Sequence, residues 1–215
     1  MWEFEFNTSL IVHLAQNAAI LLAFSVMYEH FWLKKASNDN KWYSILTGLV
    51  IGFIGVILML TPWTLAPGIN FDTRSVLLSV SGLFFGGFPT LIAAIVTAAF
   101  RFIHGGDGLA MGIAIIVSSS TIGVTWKKLR PNWIAKNHSK ELLLMGLVVN
   151  LILLGCAFLL PRNIVYSTIV VISIPILMIC LPATVLIGNL MVHQRKNFLN
   201  RNAKKKLSES ERRYF

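Results

Sequence analysis

Apolar runs of membrane-spanning length alternate with short polar breaks along this 215-residue chain. The first run covers residues 8–33 and ends at Lys34-Lys35; a second covers about 43–63 and stops at Pro67-Gly68. Two short runs follow, 73–86 and 89–103, divided by Gly86-Gly87-Phe88-Pro89. Further runs span about 109–126, 141–160 and 163–193. Each predicts a helix, because backbone amides in hydrocarbon must be paired within their own segment. The expected fold is an all-α integral membrane protein, a polytopic helical bundle of about seven hydrophobic segments.

The two short runs hold 14 and 15 residues. At 1.5 Å per residue each covers roughly 21–23 Å, less than the ~30 Å hydrocarbon core. They form either one long broken span or a hairpin, and charge separates the two. A hairpin with the N-terminus outside leaves 16 of the 19 Lys/Arg on the cytoplasmic side. A single crossing leaves 14 there and strands Lys34, Lys35 and Lys41 outside. The positive-inside rule favours the hairpin, with the C-terminus cytoplasmic. Whether the hairpin fully spans or only re-enters stays open.

Composition supports a membrane class: 55% of residues are hydrophobic and 13% charged. The formal net charge of +10 sits in a few places. Residues 194–215 hold eight Lys/Arg against two Glu, and five more lie between Lys127 and Lys140. Basic clusters beside membrane spans mark the cytoplasmic face rather than a nucleic-acid partner. The acidic start MWEFEFN offers no basic n-region, so the first run reads as a retained helix. Residues 1–193 are therefore expected to form the transmembrane domain, and 194–215 a basic helical linker. Cys156 and Cys180, both inside apolar runs, make no disulfide framework, and the five scattered histidines make no metal pattern. No metal, cofactor or catalytic constellation is expected within these residues.

Arginine beside hydrocarbon is either an anchor or a site. Arg74 and Arg101 stand equally far from a turn centred between Gly87 and Phe88. A hairpin therefore sets them at one height near the outer face, about one helix diameter or roughly 10 Å apart. Two guanidinium groups so placed suit a small carboxylate or phosphate, since each offers a planar fork of donors. Gly105 and Gly106, in the HGGDG stretch, would permit close backbone approach, or simply make a tight turn. Asp72 and Asp107 read as counter-ions or as ligand contacts. Gly112 would leave room for a ligand; Ala110 and Ala114 share a small-residue packing face. Ser118 to Thr121 are expected to bond backbone carbonyls or other helices, and Gln16, Asn17, Asn150 and Asn189 to join helices. Pro175 and Pro182, in the last span, are candidates for kinks that transmit motion into the tail.

The run Asp72-Thr73-Arg74, then SGLFFGGFPTLIAAIVTAAFR, then GGDGLAMGI resembles the LytS–YhcK-type five-transmembrane sensor domain. The matching positions are Arg74, Gly82 to Gly87, Pro89, Arg101, Gly105, Gly106, Gly108 and Gly112. The likeness covers about residues 10–195 and is most specific over 70–125. It implies the input end of a bacterial sensor histidine kinase or diguanylate cyclase in the inner membrane. It also implies a small carboxylate ligand such as pyruvate, a homodimer, and a cytoplasmic output domain after Phe215. The tail SESERRYF resembles the first helix of a PAS domain. A more distant likeness, to substrate-binding subunits of energy-coupling-factor transporters, supplies the alternative of a solute-binding transporter subunit. A third reading is a membrane anchor without a ligand, in which both arginines serve topology alone.

Overall fold

A computed structural model describes residues 8–28, 41–66, 69–106, 108–134, 137–160 and 162–211. Seven helices follow one another: α1 (Thr8–Met27), α2 (Lys41–Leu60), α3 (Arg74–Phe85), α4 (Gly87–His104), α5 (Leu109–Leu129), α6 (His138–Cys156) and α7 (Arg162–Glu211). The expected helical bundle is borne out. One short element is added to it, an antiparallel hairpin of β1 (Trp63–Ala66) and β2 (Ile69–Phe71) between α2 and α3. Lys41–Leu60, Gly87–His104, Leu109–Leu129, His138–Leu159 and Ile176–Lys205 are long and apolar enough to cross a membrane. The expected end of the first helix, at residue 33, lies outside the described residues.

The short helix α3 is the centre of the bundle. Its 12 residues rise about 18 Å, too little to cross hydrocarbon alone. Eleven of them, Arg74 through Phe84, are buried, and the helix packs on α5, α4, α2, α7 and α6. Arg74 makes that enclosure necessary, because lipid offers a cation no partner and Asp72 does. Small residues make it possible. Gly82 of α3 approaches the Val124 backbone, and Gly123 of α5 lies against the Ser79 carbonyl, with no room for a side chain at either. On the other side of α4, Gly48, Gly52 and Gly55 of α2 form a glycine face against Pro89, Ile92, Val96 and Thr97.

The turn between α3 and α4 is tighter than expected. Gly86 alone makes it, at φ +89°, where a side chain would be strained. Helix α4 therefore begins at Gly87, two residues before the expected start. Pro89 sits in its first turn, where the missing N–H has no helical partner to lose. Helix α7 continues through Pro175 and Pro182 without a break and on past residue 193. The hydroxyls of the α5 polar run turn back on their own helix, with Ser119 donating to the Ile115 carbonyl at 2.6 Å and Thr121 to Val117 at 2.7 Å. Asn17 reaches the Thr61 carbonyl at 3.4 Å, and Asn189 accepts from Ser139 at 3.0 Å.

The bundle has two distinct ends. At one, Met59, Asp72, Arg74, Phe100, Arg101 and His104 come together. At the other, Tyr28, Phe84, Phe85 and Trp133 stack edge to face, and Lys127 donates to the Phe84 carbonyl at 3.1 Å. The basic tail of α7 leaves from this second end.

Gly123→Ala should force α3 and α5 apart and lower stability by about 1–3 kcal/mol. Gly155→Ala, where a methyl group meets nothing within 4 Å, should leave it unchanged. Melting of the purified variants in detergent compares the two.

Candidate functional site: an arginine pair with one counter-ion

The site begins where β2 runs into α3. Asp72 accepts the Arg74 backbone N–H on Oδ1 at 3.0 Å, starting the helix. Its Oδ2 lies 3.4 Å from Nη1 of the same arginine. Both residues are only 8% exposed. One carboxylate thus caps a buried helix and compensates the cation at its head.

Arg101 enters from the last turn of α4. Its side chain lies across α5, and a methyl group on Gly112 would stand 2.6 Å from Nε. A methyl on Gly108 would stand 3.1 Å from Nη2. The space that Gly112 leaves is filled by this side chain. Nε of Arg101 is buried and has no hydrogen-bond partner among the described residues. Arg101 is within electrostatic reach of both Arg74 and Asp72. Two permanent cations therefore share one carboxylate among the described residues around them.

Between them lies a cavity of about 20 Å³, lined by Met59, Asp72, Arg74, Phe100, Arg101 and His104. That is room for one water-sized group. The His104 ring stacks on Phe100, with centroids 6.0 Å apart. His104 is one turn beyond Arg101 on α4, a spacing that puts both on one face of a helix. In the sequence His104 opens the glycine-rich HGGDG stretch, and no local pattern marks its imidazole.

The other expected site residues fall in different places. Gly105 and Gly106 end α4 with φ of +64° and +88°, and a methyl on either would meet nothing within 4 Å. They form the turn rather than the cavity wall. Asp107 lies outside the described residues. Pro175 and Pro182 belong to α7. Among the described residues no cluster of His, Cys, Asp and Glu could hold a metal ion.

A family model described as 5TMR of 5TMR-LYT matches residues 8–194, nearly the whole of the bundle. The chain belongs to this family of five-transmembrane receptor domains. The match agrees with the five long apolar helices, and the protein is a multi-pass membrane protein. No curated protein and no solved structure matches the receptor domain significantly.

Asp72→Ala should leave Arg74 as an uncompensated buried cation and destabilise the domain by about 3–5 kcal/mol. Asp72→Ala combined with Arg74→Met removes both charges and should recover most of that loss. Melting temperatures of the single and double variants decide this; equal loss in both contradicts the pairing.

Proposed function

We propose that this receptor domain binds a small anion, of carboxylate type, from the extracytoplasmic side and passes the event to the cytoplasm through α7. On this reading it is the input domain of a bacterial sensor histidine kinase or diguanylate cyclase. The observation that carries the proposal is the unpartnered Arg101 Nε beside the Asp72–Arg74 pair. A ligand carboxylate supplies the acceptor that Arg101 lacks. It also balances the second cation, which Asp72 alone does not.

The cavity is too small for a carboxylic acid of several heavy atoms. Binding therefore requires the arginine end to open, by movement of α4 or of the turn into α5. A ligand that fits only the open arrangement shifts the population toward it, and this shift is the signal. Helix α7 supports the transmitting role. It touches α3, α1 and α6 and continues into the basic tail as one helix. Pro175 and Pro182 would let it bend without losing its neighbours.

The test is thermal melting of the purified domain against a panel of small carboxylates and inorganic phosphate. A ligand at 100 times its Kd should add about 2.7 kcal/mol of stability. Arg101→Met should abolish the effect while keeping the fold, since this side chain leaves its Nε unpaired. If no anion stabilises the parent, and Arg101→Met melts like it, the arginines serve topology alone. Uptake of the stabilising anion into vesicles would instead indicate the transporter reading.

A further inference from the structure

A second polar cavity lies at the opposite end of the bundle, between α6 and α7. The two helices are closest where Gly146 faces Thr184 and Gly188 faces Leu142. Tailward of this contact, beside the hydrogen bond from Ser139 to Asn189, lies a groove of about 500 Å³. Its tail-side rim carries His138 and Ser139 from α6, with His193 and Lys196 from α7. Its inner wall is apolar, formed by Leu186 and Leu190. Leu186 is 66% exposed.

The chemistry of the lining is one-sided. Lys196 is a cation, the imidazoles supply donors, Ser139 is engaged with Asn189, and no acidic residue is among the lining residues. The nearest carboxylate along the chain, Glu141, is turned the other way. It accepts from Arg130 at 2.7 Å and from the Trp126 indole at 3.2 Å. The charge is thus complementary to an anion, and the wall below it to hydrocarbon.

Spacing along α7 shows how the two parts are arranged. Lys196 and Leu186 are ten residues apart, about 15 Å along the helix axis. That distance runs from the headgroup level into the upper acyl region of a leaflet. Arg195, Arg201, Lys204 and Lys205, on the same helix, would enrich anionic lipid around the mouth of the groove.

We propose that the groove between α6 and α7 is a binding site for one anionic phospholipid of the leaflet from which the tail emerges. The phosphate sits between Lys196, His193 and the start of α6, and an acyl chain lies along Leu190 and Leu186. The proposal stands apart from the arginine site and holds whether or not that site binds an anion. A lipid seated here separates the last two helices at the point where α7 leaves the membrane.

The experiment is titration of the purified chain in neutral detergent, read by native mass spectrometry and by melting. The probes are phosphatidylglycerol, phosphatidylcholine with the same acyl chains, and inorganic phosphate. Phosphatidylglycerol should bind as one tight equivalent and raise the melting temperature; the other two should do neither. Lys196→Gln with His193→Gln should weaken that equivalent about fivefold or more. Lys204→Gln with Lys205→Gln, on the exposed tail, should change it less than about twofold. His193 and Lys196 are exposed, so the first variant should melt like the parent without lipid. Equal binding of phosphatidylcholine overturns the headgroup assignment, and equal binding of inorganic phosphate overturns the lipid. Equal loss in the two double variants shows diffuse attraction and overturns the groove.

Discussion

Burying an arginine is costly unless its charge is met, and the architecture of this domain follows from how that cost is met at Arg74. The arginine heads α3, a helix too short to span. Asp72 meets the charge through a single carboxylate that also receives the first amide of the helix. Along the rest of α3 the small side chains of Ser75, Ser79, Ser81 and Gly82 let neighbouring helices come close. The glycines at 82 and 123 allow α5 to approach at backbone distance, and those at 48, 52 and 55 draw α2 onto α4.

Helix α3 reaches both ends of the bundle. Its first residue belongs to the arginine cavity, and its last residues pack with Tyr28 and Trp133 beside the base of α7. Lys127, which holds the Phe84 carbonyl, is within electrostatic reach of Arg195 on α7. In the proposed sensor, a shift at Arg74 is felt at the tail because one rigid and wholly enclosed element links them. The asymmetry between the arginines gives each a different part. Arg74 is already compensated and holds the structure. Arg101 has no ion-pair partner of its own among the described residues.

Much of the fold was legible in the sequence, because membrane-length apolar runs are a strong signal. The equal distances of Arg74 and Arg101 from the GGFP turn pointed to their meeting, and they do line one cavity. The features that were missed depend on side-chain placement. Gly112 suggested room for a ligand, but the room belongs to Arg101 itself. Gly105 and Gly106 were candidates for a ligand cradle, yet their backbone serves the turn. The serine spacing within 74–85 and the glycine spacing of α2 were both visible signals of close helix packing. The groove of α6 and α7 joins residues some fifty positions apart, and no local pattern announces it.

Helices α3 and α4 form a hairpin through Gly86, so the chain enters α3 and leaves α4 at the same end of the bundle. The most direct measurement is labelling of single-cysteine variants by a membrane-impermeant maleimide on intact cells, with the parent chain as background. Asn70→Cys and His104→Cys should both be labelled from outside, and Lys205→Cys only after the membrane is permeabilised. Labelling of His104→Cys from outside with Asn70→Cys protected would mean that the chain crosses only once between them. The arginine pair would then not lie at one height near the outer face.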